Sequence, residues 1–152
     1  MAVIGSGEPD PERDRQAENV GRALAEHGAV LLCGGLGGVM EAACRGATLA
    51  GGTTVGLLPG PDRRGANPHL TIALPTGMGE LRNGLIVRGA DAVIAVGGEY
   101  GTLSEIGFAL KLGRPVVGLQ TWELAREGVP REAVMVVESA EEAARRALEL
   151  AG

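Results

Sequence analysis

The chain has 152 residues, 45% of them hydrophobic, which suits one domain with a real core and excludes generic disorder. Fourteen Lys and Arg against nineteen Asp and Glu leave a net charge of −5, which argues against nucleic-acid binding driven by backbone phosphates. A small phosphorylated ligand held by local groups stays possible. Glycine is abundant, at 26 residues, while Trp, Tyr and Phe occur once each, so the core must come mostly from Val, Leu, Ile and Ala.

Ala2 to Ile4 reads as a first strand that runs into the turn Gly5-Ser6-Gly7. Positions 10 to 28 carry an apolar stripe at Ala17, Val20, Gly21, Leu24 and Ala25, the spacing of a helix that Gly28 closes. Ala29 to Cys33 is a continuous apolar run, expected as a strand buried on both faces. Gly34-Gly35-Leu36-Gly37-Gly38 leads into a helix from Val39 to Ala50, and Thr53 to Leu58 is the third strand.

Pro59 to Thr71 is dense in Pro, Gly and Asn and reads as a loop long enough to face a ligand and shape its specificity. Ile72 to Leu74 is a short strand, and Pro75 to Gly89 is expected to be mostly helix, with Leu81, Leu85 and Ile86 buried and Arg82 at the edge of that face. Ala90 to Val96 is a strong strand, followed by Gly97-Gly98-Glu99-Tyr100-Gly101 and a helix from Thr102 to Leu112. Strands at Val116 to Leu119 and Val134 to Val137 precede a closing helix from Ser139 to Leu150.

Apolar strands alternating with helical patterns imply an α/β fold. We expect one Rossmann-like domain over residues 1–152, with three layers and a mostly parallel sheet of six or seven strands. Both glycine-rich turns would then lie at the carboxyl ends of strands, where ligands of such sheets sit. The initial MAVIGSGEPD is too short and too acidic for a signal peptide, and no apolar run reaches about 18 residues, so a cytoplasmic protein without membrane contact is expected.

Each candidate residue has two readings. Gly34, Gly35, Gly37 and Gly38 can cradle an anion before a helix start, or merely form a tight packing turn. They match neither the dinucleotide fingerprint nor a P-loop. Thr102 and Glu105 have capping-box spacing, as do Ser139 and Glu142, so spacing alone cannot make Glu105 catalytic; its place at the mouth of the sheet can. Arg82 can grip a phosphate with its fork of donors, or lie along the sheet as a surface arginine. Tyr100 can pack over a ligand ring, and Trp122 can serve an oligomer contact. His69, beside Asn67, is a weaker ligand candidate, while His27 suits a helix C-terminus. Cys33 and Cys44 make no disulfide framework, and with the histidines they show no metal-ligand spacing, so no metal site is expected.

Three stretches together resemble a known family. Gly34-Gly35-Leu36-Gly37-Gly38-Val39-Met40-Glu41 follows a pattern of three glycines, two variable residues and Gly-Leu-Met-Gly, with Leu36 and Glu41 in place of glycines. Arg82-Asn83 stands where the family has Arg-Lys. Gly97-Gly98-Glu99-Tyr100-Gly101-Thr102-Leu103-Ser104-Glu105 follows Pro-Gly-Gly-x-Gly-Thr-x-x-Glu, with Gly97 for the proline and Glu99 for the second glycine. Over most of its length the chain resembles the LOG ("lysine decarboxylase-like") family of the SLOG superfamily, in a small bacterial branch that is also similar to molybdenum cofactor carrier proteins.

That resemblance implies one of two functions. The first is a nucleotide or phosphorylated-ligand binding protein without turnover, with a molybdenum cofactor carrier-like binding protein as its alternative form, which the acid Glu99 and the missing lysine at Asn83 favour. The second is a phosphoribohydrolase that splits a nucleoside 5′-monophosphate into free base and ribose 5-phosphate. Arg82 and Glu105 would then be the catalytic pair, and Gly98, Gly101 and Thr102 would cradle the phosphate, with no cofactor needed. Family members also imply a homodimer or homotetramer.

Overall fold

The computed structural model describes residues 1–125, 127–128 and 133–152. Seven strands form one sheet in the order β4-β3-β2-β1-β5-β6-β7, every neighbouring pair parallel. They are β1 (Ala2–Gly5), β2 (Leu31–Cys33), β3 (Thr54–Leu58), β4 (Ile72–Pro75), β5 (Val93–Val96), β6 (Val116–Leu119) and β7 (Met135–Val137). The helices are α1 (Pro11–Glu26), α2 (Val39–Leu49), α3 (Asn83–Arg88), α4 (Tyr100–Lys111) and α5 (Ala140–Leu150). This is the expected three-layer Rossmann-like architecture.

Sequence explains the ends of these helices. Asp10 caps α1 by accepting from the amides of Glu12 and Arg13, both at 3.0 Å, and Pro11 occupies the first turn, where its missing N–H costs nothing. Ser139 caps α5 through the amide of Glu142 at 3.1 Å. Helices α1, α2 and α5 cover one face of the sheet over Val3, Leu31, Cys33, Ile94, Val96 and Val117. On α1 and α2, Gly21 and Gly46 let the backbones touch: a Cβ on either would run into the carbonyl of Ala43 or of Glu18.

Helices α3 and α4 cover the other face over Ala2, Ile4, Val93, Ala95 and Val116. Full burial of a side chain such as Ile86 or Ile106 there contributes about 1.5–3 kcal/mol. The cover thins over β2 and β3 and stops short of β4. Leu32 pairs with Val55 and Val55 with Ile72, so the three share that face, and Leu57 and Leu74 form a second row. Leu32, Val55 and Leu57 are only half-buried, and Ile72 and Leu74 are exposed. The second strand is therefore not fully buried on both faces as its apolar run suggests, because among the described residues no helix covers that part of the sheet completely.

The segment from Pro75 to Gly89 also departs from expectation. It holds the end of β4, a 3-10 turn over Gly79–Arg82 and only then the short α3. Gly77 and Gly79 both adopt positive φ and donate to the carbonyls of Gly60 and Pro59, which ties the segment to the preceding loop instead of a helix. The 3-10 turn shifts the helical phase. Leu81 therefore points outward at 79% exposure, Leu85 is exposed, and Arg82 is buried at 5%.

Candidate functional site

Strand order changes direction between β1 and β5: β2 to β4 lie on one side, β6 and β7 on the other. The loops that leave β1, β2 and β5 diverge at this point, and a cleft of about 280 Å³ opens between them. Its walls include Gly5, Ser6, Gly7 and Glu8 after β1, Gly34 and Leu36 after β2, and Met40 on α2. Glu80, Arg82 and Asn83 close one side, and Glu99, Gly101, Thr102 and Glu105 close the other.

Arg82 is the one basic side chain among those walls. Its Nε donates to the carbonyl of Leu57 at 2.9 Å, its Nη1 to Oδ1 of Asn83, and its Nη2 to the carbonyl of Gly34 at 3.3 Å. Backbone carbonyls of β3 and of the β2–α2 turn thus hold the guanidinium while its charge faces the cleft. Burying it is tolerable because three of its five N–H groups are satisfied by protein. Asn83, which stands where the resembled pattern has lysine, serves as an orienting acceptor.

Glu105 lies across the cleft, 7% exposed. Helix α4 begins at Tyr100, with Glu99 as its N-cap residue and no side-chain cap bond. Thr102 is thus already inside the first turn, and the Thr102–Glu105 capping box does not form, whereas Ser139, at the same spacing, does cap its helix. Glu105 is left without a capping role. Burial pushes its carboxyl up to about 8, against the opposing pull of Arg82 and with a further push from Glu80. At neutral pH it is a protonated acid, able to donate as well as accept.

The other expected residues divide into two groups. Gly34, Gly101 and Thr102 line the cleft together with Arg82 and Glu105. Gly35, Gly37, Gly38, Gly98 and Tyr100 do not. Gly38, at φ +59°, lies against the backbone of Ser6, Gly7 and Glu8, where any Cβ would collide; it brings the β1–α1 and β2–α2 turns together. Gly98, at φ +112°, is pressed onto the side chain of the buried Thr102. Gly35 packs against Leu58 and Leu70, and the carbonyl of Gly37's neighbour Leu36 accepts from Asn67 Nδ2 at 3.2 Å. None of residues 59–71 lines the cleft; Asn67 instead braces the glycine turn from outside.

Sequence reasoning missed Gly5-Ser6-Gly7-Glu8 as a wall of the site. The signal was present, since this is a third glycine turn directly after a strand. Its length of three residues made it look like a simple connection. Glu8, Glu80 and Glu99 make the rim acidic, and all three are exposed.

The thiols lie elsewhere. Cys33 and Cys44 are fully buried in the core with sulfurs 3.5 Å apart. Their mutual hydrogen bond and burial push the Cys33 thiol up, while hydrogen bonding from Cys33 lowers Cys44. Among the described residues, no cluster of three or more His, Cys, Asp or Glu is arranged to hold a metal ion. No helix among them is long and apolar enough to cross a membrane.

Known proteins share this architecture. An uncharacterised protein of Archaeoglobus fulgidus is 46% identical over 143 residues, 94% of this chain and 90% of that one. The molybdenum cofactor binding protein of the phototrophic bacterium Rippkaea orientalis superposes with a TM-score of 0.88 at 36% identity, covering 97% of this chain and 93% of that one. The molybdenum cofactor carrier protein of Chlamydomonas reinhardtii gives 0.87 at 33%, covering 98% and 95%. The model of the SLOG cluster4 family matches residues 1–145, from β1 into α5, and the chain belongs to that family.

Proposed function

We propose that this protein binds and carries a phosphorylated heterocyclic cofactor of the molybdenum cofactor type. The observation that carries the reading is the pairing, in one cleft at the switch point, of a buried Arg82 with a buried, uncapped Glu105. Similarity in both sequence and fold to two molybdenum cofactor proteins supports it.

The residues suit the organic part of such a cargo. Arg82 and the first-turn amides of α4, with the Thr102 hydroxyl, offer positive partners to a phosphate. A pterin presents ring N–H and carbonyl groups side by side, and a neutral Glu105 carboxyl can donate to one and accept from the other. The acidic rim disfavours an isolated, multiply charged phosphate and so favours a ligand with ring contacts as well. Neither cysteine lines the cleft, so the cargo's metal would keep its own sulfur ligands.

One observation favours a second reading. A protonated Glu105 across the cleft from Arg82 can donate a proton to a departing base. In a phosphoribohydrolase, water would attack the anomeric carbon as the N-glycosidic bond breaks, giving free base and ribose 5-phosphate.

The bare apolar rows on β2, β3 and β4 support a homodimer or homotetramer, since a parallel sheet ordinarily has both faces covered.

The test is direct. The protein is mixed with molybdenum cofactor released from a molybdoenzyme and gel-filtered, with pterin fluorescence and molybdenum measured in the protein peak. Retention by wild type and its loss in Glu105→Ala and Arg82→Lys are expected, while Glu105→Gln, which still donates and accepts, should retain the cofactor. No retention, together with base release from nucleoside 5′-monophosphates that Glu105→Gln abolishes, would replace the carrier reading with the hydrolase one.

A further inference from the structure

The chain has three aromatic side chains, and two of them meet beside the cleft. The rings of Tyr100 and Trp122 lie 5.7 Å apart, tilted by 39°. Trp122 Nε1 donates to the carbonyl of Glu99 at 3.3 Å. Tyr100 sits in sequence between Glu99 and Gly101, both of which line the cleft. The pair is therefore fastened to the cleft's own wall.

We propose that Tyr100, supported by Trp122, is the stacking platform for the ligand's ring and so helps to set specificity for flat heteroaromatic phosphates. This rests on the binding reading above and adds to it the place of the ring.

Size carries the first part of the argument. The cleft, at about 280 Å³, falls just below the roughly 300–1,000 Å³ of pockets that enclose small molecules. A ligand with a phosphate, a linking group and a bicyclic ring fills such a cleft and brings part of its ring to the rim. With the phosphate at Arg82 and Thr102, the ring's inner edge can meet Glu105 while its outer face lies at the rim, beside Tyr100.

Exposure and chemistry carry the second part. Tyr100 is 78% exposed, so the face of its ring that does not meet Trp122 is open to a ligand. Aromatic pairs prefer tilted or offset contacts at this separation, so Trp122 holds the phenol ring in place before any ligand arrives. The hydrogen bond to Glu99 fixes the indole in turn. The rim charges Glu8, Glu80 and Glu99 repel free anions but not the face of a neutral ring. A π-face accepts any flat ring, which leaves the choice among rings to the hydrogen-bonding groups within the cleft.

Trp122 is the chain's one tryptophan, so the platform reports on itself. Three probes separate ring from phosphate: 5′-GMP, a phosphorylated 6-hydroxymethylpterin and ribose 5-phosphate. Each is titrated into the full chain, following tryptophan fluorescence and, in parallel, heat by calorimetry. At least one ring-bearing probe is expected to bind and quench Trp122. Tyr100→Ala is expected to weaken that binding about tenfold, the usual effect of losing one stacking partner, while Tyr100→Phe preserves it. Ribose 5-phosphate affinity should be equal in all three proteins.

Wild-type affinity for the ring-bearing probes in a folded Tyr100→Ala would overturn the platform and leave the binding reading standing. Equal weakening of ribose 5-phosphate would overturn it too, since the tyrosine would then act through the cleft rather than on the ring. If neither ring-bearing probe binds wild type, the binding reading fails and the platform fails with it.

Discussion

Asn83 Oδ1 accepts a hydrogen bond from Nη1 of the residue before it, Arg82. The guanidinium is thereby gripped on three sides: by its neighbour, by the Leu57 carbonyl and by the Gly34 carbonyl. A lysine at position 83 would supply charge but no acceptor. The departure from the resembled Arg-Lys pattern thus exchanges a second positive charge for a fixed orientation of the first.

Arg82 should accordingly be structural as well as functional. Arg82→Ala removes hydrogen bonds to two carbonyls, one in β3 and one in the β2–α2 turn, the latter in a buried environment. We expect a loss of about 2–4 kcal/mol in denaturant unfolding, far beyond that of an exposed arginine. Arg82→Lys can keep a charge but not the three-way grip, and should fall between. If Arg82→Ala unfolds at the wild-type midpoint with an unchanged m-value, the grip contributes nothing.

Glu105 should make stability fall as pH rises. Its carboxyl titrates near 8 in the folded protein, raised by burial, and in the ordinary carboxylate range near 4.5 when unfolded. Between those values the folded state holds a proton that the unfolded state has lost. The folded form is then penalised progressively, from none below about pH 4.5 to the full amount above about pH 8. Glu105→Gln removes the penalty. Its stability relative to wild type should climb across that window by a few kcal/mol. A pH-independent difference between the two proteins would place Glu105 in water.

How much of this was legible beforehand depended on the range of the interactions. Period and turn chemistry revealed every strand and four of the helices, because apolar runs and glycine stops are local signals. Burial of Arg82 was hidden. It depends on carbonyls of Leu57 and Gly34, 25 and 48 residues away in sequence, and on a 3-10 turn that shifts the helical phase. The glycines misled in a related way. All six expected glycines were read as able to face a ligand, yet Gly35 and Gly38 fill contacts with Leu58 and with the β1–α1 turn. Glycine tells that something approaches closely, and only the fold tells whether it is a ligand or the chain itself.

Two glycines of one loop should behave differently. Gly98 has φ +112°, and an added methyl would strike the buried Thr102, so Gly98→Ala should cost about 1–3 kcal/mol. Gly101 lies in the first turn of α4 with nothing within 4 Å of an added Cβ, so Gly101→Ala should be neutral or slightly stabilising. It nonetheless lines the cleft. Thermal melts of both variants, with ligand titration of Gly101→Ala, separate folding from binding. Weaker binding at full stability would make Gly101 a true contact; unchanged binding would leave the ligand clear of this turn.

The bare sheet face makes the last prediction. Ile72 and Leu74, at 44% and 45% exposure, continue rows that begin under α3 and α4. On β4 they belong to an edge strand with a free ladder side as well as an apolar face. A second copy covering these rows would remove both from water. Light scattering behind gel filtration should therefore give a mass of two or four chains. Leu74→Asp should shift it toward one chain, because a carboxylate buried in such an interface has no partner and costs several kcal/mol. Helical content should survive, since Leu74 lies outside both core clusters. A monomeric wild type, or an assembly that Leu74→Asp leaves intact, would show that these rows do not form the contact, and that a protein of this size can leave them in water.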